Sequence, residues 1–424
     1  MTAVFMLNLV DRGLMILLLQ PIKEDLHLSD TQLGLLTGVA FGVFYATLGV
    51  PIGRWADRGN RVTIASLAIG LWGLTVMSSV FVGNYFQLLC ARIAAAVGES
   101  GCKPPTYSLV GDYFPEAGAR TSAMAVYMMG SPLAALLSYV AGGWLNEIYG
   151  WRLTFFIMGI PGLILALLFK LTVAEPRAAG ADQSPERPIV PVRTVFTFLW
   201  RQRSLRHLAI ALILLYTMSL GLGPWYAAFM MRSHGMQTGE LGLWLGLIFS
   251  CGGALSVLLG GYLANKWFLG DEPGQMRLSA VAVTSLVPCF VAFLLVPGRY
   301  QALSALAPLM IGLYVFTGPT YALMQRLVPD DMRATMMSVV MFLANLIGMG
   351  TGPQIVGALS DLWAPVAGPD SLRYAMLTTS FVAFGAAYNF WRAARTIRED
   401  LGRTPHEQSF DSQAENTHHS RQIA

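Results

Sequence analysis

Gly53-Arg54-Trp55-Ala56-Asp57-Arg58-Gly59-Asn60-Arg61 is a basic, glycine-punctuated stretch between two long apolar runs. Much of it returns 208 residues later as Gly261-Tyr262-Leu263-Ala264-Asn265-Lys266, again at the end of an apolar run. A second pair repeats at a similar distance: Pro115-Glu116 with Arg120 ahead of one apolar run, and Pro329-Asp330 with Arg333 ahead of another. A chain that repeats its punctuation halfway along is built from two related halves. Duplicated halves of apolar spans around a central cavity are a transporter architecture.

Outward from that stretch, the composition points the same way. Of 424 residues, 54% are hydrophobic and only 12% charged, against about a quarter charged in soluble domains. A protein core cannot absorb that apolar surplus, whereas lipid can. A crossing takes about 20 apolar residues at 1.5 Å each. On that measure spans are predicted over 3–20, 32–55, 62–82, 86–112, 119–143 and 152–173, then over 205–231, 240–265, 277–297, 302–326, 333–360 and 372–394. The expected fold is an all-α membrane protein of twelve spans: a six-helix bundle over 1–173, a linker over 174–204, a second six-helix bundle over 205–394 and a disordered tail over 395–424. Within the linker, Val195–Arg206 places Phe196, Phe198, Leu199 and Trp200 beside Arg201, Arg203 and Arg206. That pattern suits an interfacial helix as well as it suits a plain basic loop. The first run carries Asp11 and Arg12 and has no small-residue cleavage site after it, so it reads as a span and not as a removed signal; a short cytoplasmic lead is expected before Met1.

Basic residues favour the cytoplasmic side of short loops. Placing both termini inside assigns 20 of the 28 Lys and Arg to cytoplasmic loops, five to external ones and three to spans. An inner-membrane protein with both termini in the cytoplasm follows. Cys90, Cys102, Cys251 and Cys289 all sit in apolar runs and make neither a disulfide framework nor a metal spacing. No nucleotide loop, nucleophile triad or metal cluster is evident, so pumps and enzymes are disfavoured. No nucleic-acid partner and no cofactor is expected, the driving force being a proton gradient, and a monomer is expected among membrane lipids.

The charges inside spans are the informative residues. Asp11 and Arg12 lie mid-span with Asn8 one turn earlier, and Arg92, Glu99 and Lys103 follow one another at seven and four residues, which on an unbroken helix is one stripe. Each costs about 2.5–3.5 kcal/mol at a bilayer centre, so they must face one another or a wet cavity. Two readings stand. In one, Asp11 and Glu99 accept protons while Arg12, Arg92 and Lys103 set their affinities and attract an anionic headgroup. In the other, the five form a static lock between the first and fourth spans. Weaker cavity candidates are Trp225 and Tyr226 in the seventh span, Thr317, Tyr321 and Gln325 in the tenth, and Asn345 in the eleventh, each of which fits a buried helix-packing hydrogen bond better than a place in the cavity. Gly348, Gly352-Pro353 and Gly357 suit close packing or a bend.

Gly53 to Arg61 resembles the cytoplasmic signature loop of the major facilitator superfamily, in which Gly53, Asp57, Arg58 and Arg61 would form a gating contact across the halves. Arg92 with Gly98-Glu99 is similar to a second pattern of that superfamily. More narrowly, the chain resembles the spinster family: Asn8, Asp11-Arg12, the run Ile22 to Leu36, Pro51, Asp57-Arg58-Gly59-Asn60-Arg61, Gly98-Glu99-Ser100, Pro105-Thr106, Asp112 to Pro115 and Gly130-Ser131-Pro132 carry it. Asn60 is telling, because the wider superfamily favours glycine there. Lys103 departs from the pattern, which has a small or neutral residue. The resemblance implies proton-coupled movement of lysolipids or sphingoid phosphates through Asp11 and Glu99. Carriers of small organic anions share the Gly-Glu pattern and are the alternative, and a lipid sensor on a transporter scaffold is the rival from another class.

Overall fold

A computed structural model describes residues 1–176, 191–267, 271–329 and 332–402. Among these residues every regular element is a helix. Eight helical stretches are long and apolar enough to cross a bilayer, and the bent pair Thr2–Leu17 and Leu19–Leu26 makes a ninth. Two of the eight, of 55 and 68 residues, are each long enough for two crossings at 1.5 Å per residue, and they double back at Gly150 and Gly368. The remaining span, Tyr85–Ser100 with Lys103–Tyr113, is broken in the middle and carries the three stripe charges. Twelve spans result.

The pseudo-symmetry seen in the sequence is written into the backbone. Among the described residues four have positive φ: His27, Gly150, Gly235 and Gly368. His27 and Gly235, again 208 residues apart, turn the chain from the first span to the second and from the seventh to the eighth. Gly150 and Gly368 turn it between fifth and sixth and between eleventh and twelfth. The left-handed region suits glycine because it has no Cβ. The repeated Pro-acid…Arg stretches are matched in space too. Arg120 donates to the carbonyls of Phe114 and Pro115 at 3.1 Å each, and Arg333 donates to those of Gln325 and Val328 at 2.7 and 3.1 Å. Each guanidinium thus satisfies carbonyls that the end of a helix leaves open.

Both Met1 and Gly402 lie at one end of the bundle, here the terminal end. The halves are joined at the opposite, far end. The second span starts on a capping box, Ser29 Oγ accepting from Gln32 N at 3.1 Å while Gln32 Oε1 accepts from Ser29 N at 2.9 Å. Its first free N–H groups are taken by the other half: Asp361 accepts from Asp30 N and Thr31 N at 3.0 and 2.7 Å. Deeper in, the second and eleventh spans touch backbone to backbone, since a Cβ on Gly38 would lie 2.4 Å from the Gly350 carbonyl. The fifth and eighth do the same at Gly242, 2.1 Å from the Tyr139 carbonyl. Among the described residues, the hydrogen bonds and ion pairs joining the halves lie at the far end or midway along the spans. Toward the terminal end the described helices of the two halves make little contact with one another.

Several boundaries move. The first span continues past residue 20 to Leu26, bending by 55° after Leu17. The last helix, Val382–Gly402, runs beyond Ala394, because Ile397 and Asp400 are buried and Asp400 accepts from Ser204 N at 2.8 Å; the second bundle therefore ends at 402, and residues 403–424 lie outside the described residues. Of the 174–204 linker, 177–190 lies outside them as well. Its end is a helix, Val192–Arg201, with Val195 and Leu199 buried and Phe196 stacked on Trp200 on the exposed side, which decides between helix and loop. All four cysteines are free.

Candidate functional site

The five buried charges come together midway along the first and fourth spans, in a crossed arrangement. Arg12 Nη2 meets Glu99 Oε1 at 2.5 Å, and Arg92 Nη1 donates to Asp11 Oδ2 at 2.6 Å. Each arginine therefore pairs with the carboxylate of the other helix, not with the one nearest in sequence. Geometry requires it. Arg92 and Glu99 are seven residues apart, about 10 Å along a helix axis, and adjacent residues such as Asp11 and Arg12 point in different directions. Asn8 Nδ2 donates to the Glu99 carbonyl at 3.2 Å and fixes the register of the two spans.

The second span supplies the wall. The Arg12 guanidinium lies 4.6 Å from the ring centroids of both Phe41 and Tyr45, and that of Arg92 lies 5.1 Å from Phe41. Phe41 and Tyr45 are one helical turn apart, and this i, i+4 aromatic pair opposite a buried arginine is the signal that reading charges alone passes over. Stacking of cations on rings offsets part of their desolvation. From the other half, Met349 Sδ approaches Arg12 Nη1 at 3.7 Å. Met349 belongs to a π-helical turn, Leu346–Thr351, inside the eleventh span, a distortion that often marks functional positions. The Arg12 side chain keeps 23% of its surface exposed while Glu99 keeps none, so Arg12 is the member of the pairs that looks into the cleft.

Lys103 leaves the stripe. The fourth span stops at Ser100, passes through Gly101 and Cys102 and restarts at Lys103. Pro104 and Pro105 cause the break, because proline lacks an N–H and its ring clashes with the carbonyl four residues earlier. Lys103 Nζ sits 5.3 Å from the Phe5 ring and 5.7 Å from Tyr45, not against Glu99.

The weaker candidates divide. Trp225 and Tyr226 are fully buried: Trp225 donates to the Pro353 carbonyl at 3.3 Å, and Tyr226 packs among Phe249, Phe290 and Phe293. They are core of the second half and do not line the cleft. Tyr321 shares a 2.7 Å hydrogen bond with Tyr216, and both hydroxyls approach Met341 Sδ. Asn345 lies one turn from Met341 and one from Met349, so the stripe Met341, Asn345, Met349 runs from that tyrosine pair to Arg12. Thr317 is half-buried and Gln325 exposed, one turn on either side of Tyr321. Gly348, Gly352 and Gly357 serve close packing, against Tyr216, Gly221 and Asp30 respectively.

In this conformation the described residues of the signature loop make their contacts within the first half. Arg61 is completely buried inside the first half: its Nε and backbone N donate to Glu175 at 3.0 and 2.7 Å, and its Nη1 donates to Asp112 and Ser108 at 2.6 and 2.8 Å. It ties the third, fourth and sixth spans together. A Cβ on Gly53 would be 3.8 Å from Pro104, also within the first half, and Arg58 is exposed. The Asp57 side chain lies outside the described residues.

Comparison with known proteins fits this architecture. The family model described as Major Facilitator Superfamily matches residues 1–353. An MFS-type efflux pump of Mycolicibacterium smegmatis is 32% identical over 400 residues, covering 93% of this chain and 91% of that protein. Protein spinster homolog 1 of Xenopus tropicalis is 26% identical over 429 residues, 94% of this chain and 80% of that one. The crystal structure of a bacterial homologue of the human lysosomal transporter Spinster, in an inward-facing and unoccupied conformation, superposes with a TM-score of 0.82 at 28% identity, over 95% of this chain and 97% of that one. The spans, the paired halves and these likenesses agree: the chain belongs to the major facilitator superfamily, a family of membrane transporters and not of enzymes, and it resembles the spinster members.

Proposed function

We propose that the chain is a proton-coupled carrier of an amphiphilic anion of lysolipid or sphingolipid type, working by alternating access in the inner membrane as a monomer. The observation that carries this reading is the crossed set of ion pairs, Arg12 with Glu99 and Arg92 with Asp11. A single pair would suffice to pin two helices; two carboxylates holding two arginines beside a cleft give a set of charges that protons can rearrange. A proton on Glu99 removes the partner of Arg12, whose guanidinium already faces the cleft and is then available to an anionic headgroup. Deprotonation restores the pair. Asp11 and Arg92 repeat the competition one helix face away.

Arg12 also touches the two spans whose far ends meet, the second through Phe41 and Tyr45 and the eleventh through Met349. A change at Arg12 therefore acts on helices that must separate when the far end opens. With the termini in the cytoplasm, as the 20 of 28 basic residues at that side favour, the far end is external and this conformation is inward-facing. The same orientation places Arg193, Arg201, Arg203 and Arg206, around the Val192–Arg201 helix, at the inner leaflet.

The cleft groups favour an amphiphile over a compact anion, because the half-buried Tyr45, Met341 and Met349 offer apolar contact beside the cations. Flux of a radiolabelled anionic lysolipid into proteoliposomes under a pH gradient tests the proposal. Gradient-dependent uptake is expected. Binding without flux would indicate a sensor, and flux of hexuronates without lysolipid flux would indicate a carrier of small organic anions.

A further inference from the structure

The five charges of the site sum to one positive charge, and the geometry locates it. Arg12 and Arg92 are each held by a carboxylate at 2.5 and 2.6 Å. Lys103 is the remaining cation, and among the described residues no carboxylate lies within ion-pair distance of it, Glu99 acting on it only at longer range. This is not what its sequence position favours. Glu99 is one turn earlier, and a Glu four residues before a Lys is the preferred helical pair. The break at Gly101–Cys102 ahead of Pro104 and Pro105 carries Lys103 away from Glu99, whose carboxylate is then met by Arg12. The ammonium is received instead by Phe5 and Tyr45, with Tyr107 one turn further along its own helix. Lys103, Tyr45 and Tyr107 are all half-buried, on the terminal-end side of the paired arginines.

A cation over aromatic rings retains its hydrogen-bond donors, because ring faces attract the charge without accepting more than weak contacts. Lys103 is also the first residue of the helix Lys103–Tyr113, where the helix dipole is positive and favours an anion. Pro104 and Pro105 have no N–H to offer such an anion, so the side-chain ammonium must make the contact. The two arginines give up a headgroup each time their carboxylates are deprotonated; Lys103 is not held in an ion pair by either carboxylate and feels the charge of Glu99 only at longer range.

We propose that Lys103 is the standing anchor for the anionic headgroup and sets preference for a negatively charged over a zwitterionic amphiphile. This rests on the reading of the substrate as an anionic amphiphile. The neighbouring rings Phe5 and Tyr45 hold the ammonium at the mouth of the site when no anion is present, and the anion pulls it out of that cage toward Arg12.

The test uses purified full-length protein in nanodiscs and two lysolipids with the same acyl chain, the anionic lysophosphatidylglycerol and the zwitterionic lysophosphatidylcholine. Wild type should bind the anionic probe more tightly. Lys103→Gln and Lys103→Met should each lose about tenfold in affinity for it, the worth of a charge-assisted hydrogen bond, with the zwitterionic probe unchanged, and Lys103→Arg should retain most of the preference. An unchanged ratio of the two affinities in both neutral variants overturns the anchor, as does an equal loss for both probes in all three variants, which marks a structural lysine. If wild type binds galacturonate and neither lysolipid, the amphiphile reading fails on its own; galacturonate then becomes the probe, a tenfold loss in the neutral variants supporting the anchor and unchanged binding overturning it. Wild type that binds none of the three overturns both.

Discussion

Arg232, near the end of the seventh span, grips both carboxylate oxygens of Asp30 at the start of the second, Nη1 to Oδ2 and Nη2 to Oδ1 at 2.7 Å each. Lys23 and Ser360 Oγ complete the shell at 2.6 Å each, and Gln20 accepts from Arg232 Nε at 2.5 Å. The planar guanidinium matches a carboxylate in this two-pronged way, which adds direction to charge. The pair joins the two halves where alternating access requires them to come apart.

Asp30→Asn removes the charge and keeps the shape. Breaking a buried pair costs about 3–5 kcal/mol, all of it charged to the conformation closed at the far end. Spin labels at Glu24 and Gln237, both exposed near this latch, should show a longer-distance population in Asp30→Asn than in wild type by double electron–electron resonance. Identical distance distributions would mean that the pair does not hold the far end shut.

Close approach of the fifth and eighth spans depends on Gly242, where an added Cβ would fall 2.1 Å from the Tyr139 carbonyl. Backbone cannot yield as a flexible side chain does, so Gly242→Ala should push the halves apart at this level. Lower thermal stability of the purified protein is expected, by about 1–3 kcal/mol as for other overpacked sites. Unchanged melting would show that the helices can slide past each other at small cost.

Arg61 separates a structural from a gating role. Its removal leaves Glu175 and Asp112 without their shared cation; water reaches both carboxylates, so the cost falls below that of a fully buried pair, about 3–5 kcal/mol. Arg61→Ala should still melt below wild type, while Arg58→Ala, an exposed neighbour, should melt like it. A stable Arg61→Ala with impaired transport would return this residue to the gate.

The fold was legible because it is written in coarse signals. Apolar length, the placement of basic residues and the 208-residue echo all depend on lipid and on gene-level duplication, and none depends on a particular contact. The site was legible in its members but not in its pairing. Asp11, Arg12, Arg92 and Glu99 stand out since charge is rare in a span, yet sequence distance pairs Asp11 with Arg12, and only the packing of two helices crosses the pairs. Lys103 was placed on the stripe by counting residues through a helix that Pro104 and Pro105 interrupt. Trp225 and Tyr226 resemble cavity aromatics in sequence, but whether a ring faces a cleft or a core is decided by neighbours far along the chain, such as Pro353, 128 residues from Trp225. Phe41, Tyr45 and Met349 carry no charge and acquire meaning only beside Arg12.

Orientation has its own check. A reporter fused after Ala424 should be active in the cytoplasm. Activity on the outer face would reverse the assignment of the far end and the inward-facing reading with it.

The central claim is that Asp11 and Glu99 carry protons during transport, and proton flux in proteoliposomes measures it. Asp11→Asn and Glu99→Gln keep the shape of each side chain and remove its titration, leaving Arg92 and Arg12 with neutral partners. Recorded beside melting temperature, each variant should stay folded, still bind substrate and lose substrate-dependent proton movement. Normal coupling of substrate to a pH gradient in both variants, accompanied by a marked loss of stability, would contradict the account and make the crossed pairs a static lock between the first and fourth spans.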